Sequence, residues 1–149
     1  MTDDKKKILI DYNAHTINAM RIVVKEVLKS IQNNTLPENH HFYITFDTNF
    51  KNVEIPNSLK KKHPEEMTIV IENSFWDLII KDNLFSITLS FNNIKSKLTI
   101  PYKSLLVFSD PFASFHLKFP KLEYNKEVIT KIEENKKNII NIKDFKKDK

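Results

Sequence analysis

The chain has 149 residues, of which 40% are hydrophobic and 11% aromatic, enough apolar surface for one domain to form a core without cross-links. It contains no Cys, which excludes disulfides, thiolate zinc sites and cysteine nucleophiles. It also contains no Gly, which argues against phosphate-binding loops and nucleophile elbows. No apolar run approaches the roughly 18 residues of a membrane-spanning helix. We therefore expect a cytoplasmic protein with no membrane partner.

The formal net charge of +5 is concentrated towards the C-terminal end. Residues 119–149 carry nine Lys against six Asp and Glu, which gives +3 there and leaves +2 on residues 1–118. A nucleic-acid-binding surface usually clusters basic residues among aromatic ones. The short Lys runs at 5–7 and 60–62 instead lie near acidic residues. The charge distribution therefore argues against nucleic acid as a partner.

The first predicted element is a long helix over about residues 11–32. Apolar residues recur there at three- and four-residue spacings and form one stripe suited to packing on a core. The stripe consists of Ile17, Met20, Val24, Val27, Leu28 and Ile31. A second apolar strip, Ala19, Ile22 and Val23, lies beside it. This strip is either covered by sheet and loops or exposed as an interface.

Three elements are predicted between this helix and the centre of the chain. Residues 41–48 alternate apolar and polar side chains, which predicts a strand. Residues 53–56 are predicted to be a short extended piece, because Pro56 disfavours helix at the residue before it. Asn57 is predicted to cap a short helix that ends at Pro64.

The centre of the predicted sheet lies within residues 65–91. Its strands are predicted at 65–71, 75–81 and 84–91. The last strand alternates apolar and hydroxyl side chains, so one face is expected to be buried and the other to present hydroxyl groups. The Asp82-Asn83 pair tolerates positive φ, so the last two strands are predicted to form a hairpin. Trp76 is expected to keep this scaffold rigid beneath the hydroxyl groups.

The remaining elements are predicted as a strand at 97–101, one helical turn over 102–108 and a strand at 114–119. Beyond Phe119 the chain is charged and rich in Asn, so residues 120–149 are predicted to be a flexible tail. An apolar segment at about 138–147 ends this tail and has no core to join. Its apolar residues are Ile139, Ile140, Ile142 and Phe145. The segment is either a docking peptide or chance composition in an Ile-rich chain.

The candidate catalytic residues do not form a convincing group. His40 and His41 are adjacent in a predicted strand and would point to opposite faces, which prevents them from binding one metal ion together. His63 lacks the four-residue helical spacing of zinc-protease ligands. Ser109 and Asp110 have no base partner at a supporting spacing. We therefore predict that the protein is not an enzyme and needs no metal or cofactor.

Several segments in a fixed order show a resemblance to a known family. They are TFDTNFKNVEIP, PEEMTIVI with FWDL, SITLSFNNI and IPYKSLLVFSDPFASFHLKF, all within residues 44–119. On these segments the chain resembles the SspB family, the adaptors of the ClpXP protease, and is most similar to its alphaproteobacterial branch. Asn92-Asn93 and Lys51-Asn52 stand at turns where family members often carry Gly. These replacements should keep the fold at some cost in turn energy.

The resemblance implies an α+β fold that is mainly β. The expected architecture is a strongly bent antiparallel sheet or partly open Sm-like barrel, with a long N-terminal helix and a flexible C-terminal tail. The tag-binding domain would span residues 1–119 and the tail residues 120–149. The resemblance also implies a homodimer formed through the helix, with Ala19, Ile22 and Val23 at the interface.

The resemblance implies two further partners. The body would bind ssrA-tagged polypeptides in a groove formed by Glu72, Asn73, Ser74, Phe75, Thr88, Ser90 and Leu98. Ile139, Ile140, Ile142 and Phe145 of the tail would dock on the N-terminal zinc-binding domain of ClpX. Two other interpretations remain open: an RNA-binding Sm-like module, and a small hydrolase that uses His63 or His116.

Overall fold

A computed structural model of the chain describes residues 10–33 and 35–122. The segment at 138–147, for which a docking role is predicted, lies outside the described residues. The same is true of the predicted tail from residue 123 onwards.

The described residues form two helices and seven strands. The helices are α1 (Tyr12–Ser30) and α2 (Asn57–Lys62), and the strands are β1 (Phe42–Asp47), β2 (Glu66–Ile71), β3 (Trp76–Ile80), β4 (Leu84–Phe91), β5 (Ile94–Pro101), β6 (Leu105–Asp110) and β7 (Phe115–Lys118). The strands make two antiparallel sheets, with the orders β2-β1-β6-β7 and β3-β4-β5. The predicted class, α+β and mainly β with a long N-terminal helix, is confirmed, and these strands do not close into a barrel.

Helix α1 has the boundaries and the buried face that its sequence predicts. Asp11 caps its first turn, because its carboxylate accepts a hydrogen bond from the Ala14 N–H at 3.0 Å. Val24, Leu28 and Ile31 are buried, and the rest of the predicted stripe packs against the core. The apolar stripe that this helical spacing creates therefore packs α1 against the sheets.

A single hydrophobic core joins α1 to both sheets. Its largest fully buried side chains are Phe46, Phe85 and Phe108, one from each of three strands. The ring of Phe108 also lies 5.2 Å from that of Phe42, measured between ring centres. Aromatic side chains contribute the most apolar area per residue, so these positions unite the two sheets.

The predicted β3–β4 hairpin is confirmed, with Ile80 opposite Phe85. However, neither Asp82 nor Asn83 has a positive φ. The left-handed positions among the described residues are Asn39, Asn52, Asp77, Asn92, Asn93 and Ser114. Five of these six are Asn or Asp, the residues that tolerate this conformation best after Gly. In this chain without Gly, Asn and Asp thus occupy most of the left-handed positions among the described residues.

Three expectations about local structure are wrong. Asn57 is the first residue of α2 rather than its cap; Pro56 holds the cap position and no side chain caps the helix. Only Tyr102–Ser104 forms a 3-10 turn, and the rest of 102–108 belongs to β6. β6 is a strand because it pairs with both β1 and β7. β5 starts at Ile94 instead of residue 97, since a two-residue turn returns the chain directly from β4.

The face of β4 that carries hydroxyl groups is not exposed along its whole length. Ser86 is buried, Thr88 is half-buried, and only Ser90 is exposed. Ser86 lies between Ile79 of β3 and Thr99 of β5, so neighbouring strands cover it. The expected arrangement of one buried face and one hydroxyl face therefore applies only at the C-terminal end of the strand.

Trp76 lies beside the hydroxyl groups of β4 and not beneath them, because it is the cross-strand partner of Thr88. It is half-buried, and Lys95 Nζ lies 4.0 Å from the centre of its ring. This is a cation–π contact at the surface of the three-stranded sheet.

The Asn92-Asn93 turn can be used to test whether Asn takes the place of Gly at a left-handed position in this chain. Asn93 has a φ of 67°, which Gly adopts without steric cost and Ala does not. We expect Asn93→Ala to lower the free energy of unfolding by about 1 kcal/mol, and Asn93→Gly to leave it unchanged or raise it. Urea denaturation of the three proteins measures the difference.

Asn13, an exposed residue of α1, supplies the matched control. Within a helix Ala is favoured over Gly by about 1 kcal/mol, so the order of the two substitutions should reverse at Asn13. Equal stability of Asn93→Ala and Asn93→Gly would contradict the interpretation of the turn.

Candidate functional site

A groove of about 470 Å³ lies between the C-terminal part of β2, the loop that follows it and the end of β4. Its lining residues are Thr68, Ile69, Val70, Glu72, Asn73, Ser74, Leu89, Ser90 and Phe91. Ile69 and Leu89 are buried side chains, so the floor of the groove is apolar. Asn73, Ser74 and Ser90 are exposed and offer polar groups around it.

Two strand edges beside this groove lack a neighbouring strand. In the described part of the chain, β2 pairs only with β1, which leaves its other edge unpaired. Pairing of β3 with β4 stops at Trp76 and Thr88, so residues 89–91 have no β3 neighbour. Unpaired edges present rows of N–H and C=O groups that can bond to an extended peptide. The groove is therefore suited to a strand-like ligand.

Of the seven predicted tag-binding residues, four line the groove and three do not. Glu72, Asn73, Ser74 and Ser90 line the groove together. Thr88 is half-buried, opposite Trp76 and one side-chain repeat away from Ser90. Phe75 and Leu98 are buried members of the core and do not line the groove.

Thr68 and Val70 also line the groove and were not among the residues predicted to form it. Nothing in the local alternation of β2 distinguishes an edge strand from a central one. Their position follows from the sheet order, in which β2 lies at the margin.

One charged side chain lines the groove in the described part of the chain, and another lies near it. Glu72 contributes a carboxylate, and its Oε1 lies 3.7 Å from His41 Nε2. Lys95 lies opposite Ser90 in the β4–β5 pair, and its ammonium group rests over the Trp76 ring. A peptide in the groove would thus meet the carboxylate of Glu72, whereas Lys95 lies outside the lining of the groove.

The second apolar strip of α1 is exposed in the single chain. Ile22 and Val23 are 57% and 39% exposed, and Ala19 is exposed as well. The sequence left two interpretations open for this strip: it is covered by sheet and loops, or it is exposed as an interface. The first is wrong for the described residues, because none of them covers the strip. A helix that is apolar outside its core-facing stripe provides surface for another protein.

The two residues expected to lack a base partner both have one. Ser109 Oγ lies 2.7 Å from His116 Nδ1, and Asp110 Oδ2 lies 2.6 Å from His40 Nδ1. The expectation was wrong because these partners meet only through the pairing of β6 with β7 and the packing of the chain before β1.

These two pairs do not form a catalytic triad within the described residues. Each His contacts a different residue, and His116 is exposed. A triad requires one His that joins the nucleophile to a carboxylate. His63 contributes its backbone carbonyl to the Thr48 hydroxyl at 2.8 Å. No group of three potential metal ligands occurs in residues 10–33 and 35–122.

Comparison with known proteins identifies the family. A search of curated proteins found no matching sequence. Within the described ranges, no helix is long and apolar enough to cross a membrane. The family model described as stringent starvation protein B matches residues 15–148, which include most of α1, both sheets, the groove and the segment at 138–147. The match covers most of the chain, and the protein therefore belongs to the stringent starvation protein B (SspB) family.

Proposed function

We propose that the protein is a non-enzymatic adaptor that binds ssrA-tagged polypeptides and brings them to ClpX for degradation by ClpXP. Membership of the SspB family suggests a ClpXP adaptor role. The observation that carries the proposal is the groove between two unpaired strand edges, because a degradation tag is a peptide that can bind in extended form. This mode of binding requires no catalytic group and no cofactor.

The tag would bind through its backbone and a few side chains. Backbone groups at the edges of β2 and β4 would make most hydrogen bonds, each contributing roughly 0.5–1.5 kcal/mol net. Asn73 and Ser90 would add polar contacts, and the apolar floor at Ile69 and Leu89 would accept small side chains. Phe75 and Leu98 would support the groove from the core instead of touching the tag.

Delivery would depend on the tail. We propose that Ile139, Ile140, Ile142 and Phe145 dock on the N-terminal zinc-binding domain of ClpX, while residues 120–137 link this segment to the body. A linked pair of binding sites raises the effective concentration of the second partner to the order of millimolar, which can strengthen overall binding about 100-fold. The adaptor would thereby concentrate tagged chains at the protease without any new contact between tag and ClpX.

The exposed strip on α1 would form a homodimer. Ala19, Ile22 and Val23 lie on one side of the helix and would meet the same residues of a second copy, as twofold symmetry requires. A dimer carries two grooves and two tails, so one particle could hold ClpX through one tail while the other remains available.

An RNA-binding role has one supporting observation, the contact of Lys95 with Trp76 next to the groove. Single-stranded RNA binds to proteins by stacking bases on aromatic rings and by contacts with basic groups. A salt-sensitive RNA affinity tighter than the affinity for the tag peptide would favour this alternative. A hydrolase role would require His63 or His116, and replacing either with Ala should leave tag binding and delivery unchanged.

The groove is tested by adding bulk at Asn73. Asn73 is exposed and lines the groove, so Asn73→Trp should fill the space of the tag while changing the free energy of unfolding by less than about 0.5 kcal/mol. We expect the dissociation constant for an ssrA-tag peptide to rise at least about tenfold, equivalent to about 1.4 kcal/mol. Fluorescence anisotropy with a labelled peptide measures it.

Asn57→Trp is the control, since Asn57 is exposed in α2 and does not line the groove. The proposal for the groove fails if both variants bind the peptide as the unsubstituted protein does. Loss of folding in Asn73→Trp would instead assign this loop to the core.

The tail is tested by deletion of residues 138–149. The truncated protein should bind tag peptide with unchanged affinity, because the deletion removes no groove residue. It should lose the enhancement of ClpXP degradation of a tagged substrate, on the order of 100-fold at limiting substrate. Full enhancement by the truncated protein would rule out the tether, and loss of peptide binding would show that the tail acts on the groove.

The dimer is tested by placing a charge on the strip. Ile22→Glu should convert a dimer to a monomer without unfolding it, because burying an unpaired carboxylate at an interface is costly whereas the side chain is exposed in the single chain. Analytical ultracentrifugation gives the mass. Ile94→Glu is the control, since Ile94 is 66% exposed and belongs to β5, not to α1. Dimers of unchanged affinity in Ile22→Glu would exclude this interface.

A further inference from the structure

A second and larger cleft, of about 910 Å³, lies beside α1 and shares no lining residue with the groove. It is bounded by α1, residues 50–52, the turn between β3 and β4, and the 3-10 turn that follows β5. Leu122, the last described residue, also lines it. The volume falls in the range of small-ligand sites, roughly 300–1,000 Å³. The SspB-type function proposed above assigns no role to this cleft.

Positive charge predominates among the residues that line the cleft. Among the described residues that line it, the basic ones are Arg21, Lys25, Lys51 and Lys103, and the acidic one is Asp82. Asp82 Oδ1 lies 3.5 Å from Lys25 Nζ, and the Asp82 side chain is 98% exposed. An exposed ion pair of this kind neutralises little of the local potential. A cleft lined by one sign of charge concentrates ions of the opposite sign.

Arg21 is buried in this lining, and two of its three guanidinium nitrogens have no hydrogen-bond partner among the described residues. The residue is 8% exposed, and its Nη1 donates to Asn18 Oδ1 at 2.9 Å. The centre of the Phe119 ring lies 5.7 Å from the guanidinium carbon. Nε and Nη2 are buried and have no hydrogen-bond partner among the described residues. Burial of this group lowers the pKa of Arg21, as expected for a charge removed from water.

The two unpaired nitrogens of Arg21 form one edge of the guanidinium plane. Their N–H bonds run parallel and match the spacing of two oxygens on a carboxylate or a phosphate. The contact with Asn18 uses the opposite side of the group and holds the plane in place. The unused edge is thus the edge that recognises an oxyanion through two bonds.

Tyr102 provides a second unpaired donor in the same cleft. Its hydroxyl oxygen is buried without a hydrogen-bond partner in the described residues. Burial, and to a lesser degree the charge of Glu26, raises the pKa of Tyr102, so the hydroxyl keeps its proton at neutral pH. Glu26 itself is paired with Lys29 at 3.4 Å. Native proteins rarely leave buried polar groups unpaired, and a bound ion is one of the usual reasons.

We propose that this cleft binds a free small oxyanion, a carboxylate or a phosphate, through Nε and Nη2 of Arg21 and the hydroxyl of Tyr102. Lys103 is exposed beside Tyr102 and would attract the anion at the entrance. Because the Arg21 nitrogens are covered, the anion enters only when the covering side chains move. Phe119 lies over the guanidinium and Leu122 lines the cleft, so residues 119–122 are the segment that we expect to shift.

The test is a titration of the full-length protein with inorganic phosphate and, separately, with succinate as the carboxylate probe. Chloride keeps the ionic strength constant throughout. Binding to the folded state raises the melting temperature in proportion to the logarithm of ligand concentration once the site is filled. We expect the melting temperature to rise with at least one probe, together with a saturable shift of the Arg21 Nε–H resonance in the ¹⁵N NMR spectrum. The responding probe identifies the preferred anion.

Three substitutions separate the site from general charge effects. Arg21→Lys keeps the charge but removes the two-bond edge, so the affinity should fall at least about tenfold. Tyr102→Phe removes only the unpaired hydroxyl and should weaken binding several-fold. Lys118→Gln removes an equal charge from exposed β7, which does not line the cleft, and should leave the affinity unchanged. Tag-peptide affinity should stay the same in all three.

The absence of a saturable response to both probes would overturn the proposal. So would equal responses in Arg21→Lys and the unsubstituted protein, or a response that chloride reproduces at the same ionic strength. If Arg21→Lys does not fold, Tyr102→Phe decides: unchanged affinity in that variant overturns the assignment. Because the cleft and the groove share no residue, these outcomes are independent of tag binding.

Discussion

The fold depends on the burial of β1 between β2 and β6. Ile44 and Phe46 of this strand are fully buried, and Ile69 and Phe108, the cross-strand neighbours of Ile44, are buried too. Burial of side chains of this size stabilises the fold by roughly 1.5–3 kcal/mol each. Since β1 is paired on both edges, β2 remains at the margin of its sheet with one edge unpaired. The pairing of β1 that builds this part of the core thereby also positions the groove.

The groove opens where the two sheets separate. The chain leaves β2 at Ile71, and Phe75 is drawn into the core before β3 begins at Trp76. β3 is therefore too short to cover the last residues of β4. Apolar burial on one side of the loop thus leaves the polar side chains of Asn73 and Ser74 exposed on the other. A polar opening over an apolar floor follows from the same packing.

Helix α1 combines three surfaces at different angles around its axis. One stripe, with Leu28 at its centre, packs on the sheets, and the strip that contains Ile22 and Val23 is exposed. Arg21 points into the second cleft, and Ile22 lines that cleft as well. The apolar strip and the cationic cleft are therefore neighbours, so self-association and anion binding would occur on adjoining parts of one helix.

The sequence by itself determined the features that repeat over short distances. The 3.6-residue period places α1 and its buried stripe, and the two-residue period with a short turn places the β3–β4 hairpin. The sequence did not reveal β6, because residues 105–108 are apolar at consecutive positions and become a strand only through pairing with β1 and β7. The family resemblance, and no local pattern, grouped Glu72, Asn73, Ser74 and Ser90, and it did not include Thr68. Tertiary structure alone decided which strand edges stay unpaired and which polar groups are buried without partners. Both depend on contacts between residues distant in the chain, which no local pattern encodes.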